Sequence, residues 1–353
     1  MKISFCSLGE ESNERWLDWC RLAETLGFHG FYHADEKWTR DCYVRLAIAA
    51  QATTKLTLGV EVADPYNRHP AFLAQMMATV AELAPRRTVL IMGTGSHFET
   101  LPGWQAVRPL TAIREAIELM RRLWNGERVT LDGKVIKFSN GQFNFLPKAQ
   151  PEVWIASRGP KILGLGGEIA DAVLIASYAT PEGIDWAKRR IAVGLEKSGR
   201  SFGDIRLVSW LYAHVKDASD DPDPDNFRRG VSHAFWSSRD ALFSRIDELA
   251  PDVTDEFKTF VATAPHEWTP EIMAELRRVI PRSVYDSMGL IGTADQIVAK
   301  LKALEAAGID EAILWPFPKD EGEDVEDVIA KFADRVLPHV SGRPHREPYN
   351  LQD

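Results

Sequence analysis

Residues 59–70 read Gly-Val-Glu-Val-Ala-Asp-Pro-Tyr-Asn-Arg-His-Pro, and the change of character along this run decides the fold. Residues 56–62, Leu-Thr-Leu-Gly-Val-Glu-Val, are a short apolar run of β type. It ends at Asp64-Pro65, passes through a polar loop, and gives way to a helical pattern at Pro70. A buried strand therefore reaches its C-terminal end, turns and starts a helix. In parallel α/β proteins this is the end of the strand at which ligands bind.

The same alternation runs outward in both directions. Residues 3–8 and 30–33 read as the first two strands. Between them, 13–26 place Trp16, Trp19, Cys20, Ala23 and Leu26 at helical spacing, with Gly27 as the stop. Residues 43–52 and 71–83 read as helices, and 88–92 as a fourth strand. The segment 109–124 is a long amphipathic helix, and 129–145 a hairpin turned at Asp132-Gly133. Strands at 152–156, 172–176, 205–215 and 311–315 alternate with helices at 160–169, 182–197, 293–307 and 325–340. Thr293 is the N-cap expected of the 293–307 helix. Eight strands alternating with helices predict an α/β fold, a (β/α)8 TIM barrel. Insertions fall after strand 4 (about 127–148) and after strand 7 (about 217–290). Residues 1–340 read as one domain, and 341–353 as a polar tail.

At 353 residues, 45% apolar and 26% charged, the chain has the composition of a globular protein with a sizeable core. Its net charge of -9 speaks against a nucleic-acid partner, which needs a basic face. Cys6, Cys20 and Cys42 are odd in number and lack CxxC spacing, so they read as buried small hydrophobes. The N-terminus enters a strand without an apolar leader, and no run approaches the ~20 apolar residues of a membrane span. The expectation is a soluble, cytoplasmic protein with no membrane partner.

Chemistry-bearing residues gather at the predicted strand ends. After strand two comes His33-Ala34-Asp35-Glu36-Lys37-Trp38-Thr39-Arg40-Asp41, with two adjacent carboxylates. Gly93-Thr94-Gly95-Ser96-His97 follows strand four, where paired glycines permit close backbone approach to a flat ligand. Ser157-Arg158-Gly159-Pro160-Lys161 follows strand five and opens a helix. Free N–H groups, the positive dipole end and two cations there make an anion site. Gly164-Leu165-Gly166-Gly167 precedes a strand instead of following one, so it is no dinucleotide fingerprint. The histidines are scattered without ligand spacing, and no metal site is expected.

Several of these segments together resemble the bacterial-luciferase-like flavin oxidoreductases, in the branch that contains methylenetetrahydromethanopterin reductase. Asp64-Pro65-Tyr66-Asn67-Arg68-His69-Pro70 is similar to that branch's Asn-Pro-Tyr-x-Arg-His-Pro. Arg40-Asp41-Cys42-Tyr43, the stretch 156–171, and Gly292-Thr293-Ala294-Asp295 with Ala307-Gly308-Ile309-Asp310 match further segments in order. The likeness covers residues 2–215 and 289–337. It implies a TIM barrel, a small-molecule substrate, FMN or the 8-hydroxy-5-deazaflavin coenzyme F420, and a homodimer or higher homo-oligomer. It also implies cofactor contacts from Glu61, Val62, Ala63, Gly93, Gly95, Ser157, Arg158, Gly159, Pro160, Lys161, Ala176 and Ser177, with a non-proline cis peptide at Glu61–Val62. Glu36 stands where the family usually has an acid/base His, and Glu61 where it has Gly. Glu36 and His69 are the candidate catalytic groups. The alternative to a hydride-transfer or monooxygenase enzyme is a flavin-binding barrel without catalysis. No motif in 217–290 names the substrate.

Overall fold

The computed structural model of the chain describes residues 1–95, 104–319 and 322–340. Its strands are β1 (Lys2–Ser7), β2 (Gly30–His33), β3 (Thr57–Ala63), β4 (Thr88–Met92), β5 (Val129–Asp132), β6 (Lys137–Gly141), β7 (Glu152–Ser157), β8 (Ala172–Ala176), β9 (Arg206–Val215), β10 (Gly289–Gly292) and β11 (Glu311–Pro316). Parallel pairing runs β11-β1-β2-β3-β4-β7-β8-β9, and β9 pairs back onto β11. The sheet is therefore a closed eight-stranded barrel with helices outside it, the (β/α)8 fold read from the sequence. The first insertion carries the antiparallel β5–β6 hairpin. The second carries six helices between Asp225 and Met288.

The second insertion also holds a strand that the sequence did not reveal. β10 pairs in parallel with β9 over Tyr212–Val215, while β8 pairs with β9 only as far as Trp210. Tyr212 and Ala213 pair with β11 on one side and with β10 on the other. β10 therefore continues the barrel wall above the end of β8. Four residues, Gly-Leu-Ile-Gly, are too short to carry a legible period.

Local signals set the helix starts. Asp41 caps helix Cys42–Ala52 by accepting from the N–H groups of Tyr43 and Val44 at 2.9 and 3.0 Å. Thr293 caps helix Ala294–Ala306 in a reciprocal capping box with Gln296. The glycine run 164–167 is a packing device: helices Pro160–Ile169 and Pro181–Ser198 meet backbone to backbone. A Cβ at Gly194 would overlap the Gly164 carbonyl oxygen, and one at Gly167 the Ile191 carbonyl.

Alternate residues of each strand point inward. Tyr32, Ile91, Trp154, Leu174, Val208 and Ile313 fill the barrel interior, while Leu58, Val60, Leu90 and Ile155 pack outward under the helices. Cys6, Cys20 and Cys42 are buried free thiols. No helix among the described residues is long and apolar enough to cross a membrane.

Candidate active site

β3 ends in an irregularity. Its register against β4 shifts between Val60 and Ala63, and the Glu61–Val62 peptide is cis. The Val62 side chain lies against Gly93, where a Cβ would come within 2.5 Å of Val62 Cγ1. The Gly93 N–H donates to the Ala63 carbonyl at 2.9 Å, and Gly95 has a φ of 77°. β3 and β4 thus end in a side-chain-poor ledge at the barrel mouth. Ser96 and His97 lie outside the described residues.

The loops after β2 and β3 are clamped together. Arg68 donates to both Asp35 oxygens at 2.7 and 2.9 Å and to Asp41 at 2.9 Å, and stacks over Tyr43. Asp64 turns its own loop by accepting from the N–H groups of Tyr66 and Asn67, and Lys37 approaches it at 4.0 Å. Burial pushes the Asp35 carboxyl up, against the pull of Arg68. Arg40, the partner one would pick for Asp35 from sequence proximity, binds the Glu10 carbonyl instead.

Glu36 lies half-buried between these tied residues, and its carbonyl accepts from the Thr39 hydroxyl at 3.1 Å. His33 does not stand in for the family's histidine. It is fully buried, and both ring nitrogens are engaged, with the Ala34 carbonyl and the Arg45 guanidinium. Desolvation lowers its pKa to about 4. His69 is likewise held at both nitrogens. Nδ1 accepts from Ala71 N–H and caps helix Pro70–Leu83, and Nε2 reaches the Lys137 carbonyl of β6 at 2.9 Å. Its position ties that helix to the first insertion.

The anion end is built where β7 meets helix Pro160–Ile169. Gly159 is the N-cap and supplies no side-chain cap, so the first-turn N–H groups remain to be met by a ligand or solvent. Ser157 folds its hydroxyl back onto Gly159, accepting from its N–H at 2.8 Å. Arg158 donates through Nε to Ser177 at 2.9 Å and through an Nη to Ser238 at 3.0 Å, and its carbonyl accepts from the Tyr178 hydroxyl. No carboxylate pairs with it among the described residues. Desolvation pushes the guanidinium down from its usual range. Ser177, beyond Ala176 at the end of β8, is buried and has a φ of 66°. Lys161 is exposed. Ser238 comes from the second insertion, and no local signal could have announced it.

An aromatic wall closes the other side of the mouth. Trp210 and Tyr212 of β9, Trp315 of β11 and Phe317 form a chain of ring contacts with centroids 4.9–5.5 Å apart. The i, i+2 spacing of Trp210 and Tyr212 was the available sequence sign of a shared face. Ledge, uncompensated cation and open helix start together suit a flat ring that carries a phosphate. Among the described residues no group of three or more His, Cys, Asp or Glu could hold a metal ion.

Comparison with known proteins places this geometry. A family model described as luciferase-like monooxygenase matches residues 4–311. The chain is 29% identical over 313 residues to the 5,10-methylenetetrahydromethanopterin reductase of Archaeoglobus fulgidus, covering 87% of this chain and 91% of that protein. It is 29% identical over 343 residues to the F420-dependent glucose-6-phosphate dehydrogenase of Microbacterium testaceum, covering 93% of each. Among solved structures, the coenzyme F420-dependent tetrahydromethanopterin reductase of Methanopyrus kandleri superposes with a TM-score of 0.77. That match has 21% identity and covers 96% of this chain and 99% of the other. The chain belongs to the luciferase-like monooxygenase family and is an oxidoreductase built on that family's barrel.

Proposed function

We propose that this oxidoreductase transfers hydride between a small organic substrate and the deazaflavin coenzyme F420, with FMN as the alternative cofactor. The observation that carries the reading is Arg158, a guanidinium at a helix start, held by two serine hydroxyls and by no carboxylate among the described residues. The names of the relatives at 29% identity support the deazaflavin over FMN. Arg158, Gly159, Pro160 and Lys161 would hold the phosphate, with Ser177 orienting Arg158 and Ala176 leaving room beneath it. Val62, Ala63, Gly93 and Gly95 would seat the ring. When bound, the ring supplies or accepts the hydride. Glu36 is the carboxyl placed at the mouth to handle a proton, and His69 serves as a tether between helix and hairpin.

The same reading includes a homodimer. Neighbouring helices Cys42–Ala52 and Pro70–Leu83 leave Val44, Ile48, Phe72 and Leu83 exposed, a concentration of apolar side chains that favours a second copy. Titration of the purified chain with F420 and with FMN tests the cofactor. We expect saturable binding of F420, tighter than that of FMN; a preference for FMN would overturn the deazaflavin assignment.

A further inference from the structure

Two carboxyls project into the barrel interior, Glu61 from β3 and Glu311 from β11. Glu61 is 6% exposed and Glu311 1%. In each, Oε2 is buried with no hydrogen-bond partner. A buried orphan oxygen is costly, and each of these two calls for a proton or an ordered water. The other Glu311 oxygen accepts from Ser4 Oγ at 2.6 Å and from the Tyr32 hydroxyl at 3.1 Å.

Below Glu311, Oε2 lies 4.0 Å from Nε2 of His29, whose side chain is 24% exposed. His29 directly precedes β2 and so stands at the N-terminal face of the barrel. Above it, the Cys6 thiol, a neighbour of Glu61, donates to the Leu314 carbonyl at 3.6 Å and accepts from the Trp210 indole N–H at 3.3 Å, in the mouth. Polar groups thus cross a lumen that barrels of this kind fill with branched aliphatic side chains.

We propose that this line is a proton path: Glu61 stores a proton and releases it toward the mouth, and His29 restores it, through Glu311, from solvent at the opposite face. The proposal rests on the hydride-transfer reading for its purpose. Reduction by hydride leaves one proton to be delivered. Glu36, whose loop is tied to β3 by the Asp35 N–H donating to the Glu61 carbonyl at 3.3 Å, gives its proton to the substrate atom made basic by the hydride; the O–H bond of Glu61 breaks to replace it, and Glu61 is left as a carboxylate. A proton taken from water by His29 and handed on through Glu311 re-forms the acid. No electrons move along the path.

The neighbouring charges fix where the proton rests. Lys2 of β1 stands opposite Glu311 in register, and Arg206 of β9, paired with Glu152 of β7, faces the same end, as does Asp310. Cys6 and Tyr32 are the other titratable groups, and burial holds both protonated. Lys2 and Arg206 stand at the Glu311 end of the lumen, away from Glu61, so the proposed proton rests on Glu61. Burial, and then the charge of Glu311, pushes the Glu61 carboxyl well above its ordinary range.

Infrared spectroscopy of the full chain without cofactor tests the proposal. We expect the C=O stretch of a protonated carboxyl at neutral pH, lost in Glu61→Gln and shifted in Glu311→Gln. Its deuterium shift on transfer to D2O should be several-fold slower in His29→Ala than in the wild type. The variant comparison separates Glu61 from Asp35, whose carboxyl is also raised. No such band in the wild type, which needs no variant to fold, would overturn the stored proton. So would a band that survives Glu61→Gln. An unchanged exchange rate in His29→Ala would overturn the route. A chain that shows the band yet fails to bind F420 defeats the cofactor reading and leaves the stored proton standing; F420 binding without the band does the reverse.

Discussion

Arg158 and Lys161 sit three residues apart and carry the same charge, but their surroundings assign them different weights. Arg158 is oriented by Ser177 and Ser238, while Lys161 is exposed. Arg158→Ala should weaken cofactor binding by about 1.5–3 kcal/mol, the range of a charged hydrogen bond. Lys161→Ala should cost less than about 1 kcal/mol, as a solvent-screened charge does. Equal losses in the two titrations would contradict this division. Residues 157–161 were legible in the sequence because helix-start chemistry is local. The partners of Arg158 and Asp35 were not: Ser238 and Arg68 are brought to them by the closure of the barrel. Glu61 could be read as an oddity at a glycine position, but a sequence does not say that Glu311 would share the barrel lumen with it. His69 was legible as part of a motif, and its tie to the Lys137 carbonyl only from the position of β6.

Among the elements, helix Pro160–Ile169 is placed by helix Pro181–Ser198 through glycines. Gly194→Ala puts a methyl group into the Gly164 carbonyl and should destabilise the protein by about 1–3 kcal/mol, as overpacking does. Gly164→Ala meets nothing closer than the Arg190 carbonyl at 3.4 Å, so it should be neutral or stabilising by up to about 1 kcal/mol through helix propensity. Thermal unfolding of both variants checks the contrast, and a stable Gly194→Ala would refute the close contact. The barrel strands were legible because each is a short apolar run followed by a turn signal. β10 escaped because its identity as a strand comes from the free upper edge of β9, a property of the sheet and not of four residues.

For the whole molecule, the eightfold rhythm of the chain carried the closed barrel, but association leaves no rhythm to read. The proposed dimer face rests instead on two neighbouring helices with Val44, Ile48, Phe72 and Leu83 turned outward. A Val44→Glu, Phe72→Glu double variant should sediment as a monomer under conditions where the wild type is a dimer. A wild-type chain that is monomeric at all accessible concentrations would remove the proposed interface. β10 has a different bearing on the molecule's history. Because it completes the wall beside Tyr212–Val215, the second insertion cannot be excised and the ends rejoined without baring a run of unpaired backbone groups, the kind of edge that recruits foreign strands into aggregates. Descendants of this architecture, natural or engineered, are therefore free to rewrite the helices between Asp225 and Met288 only where they keep Ser238 against Arg158 and the four-residue stitch that closes the seam.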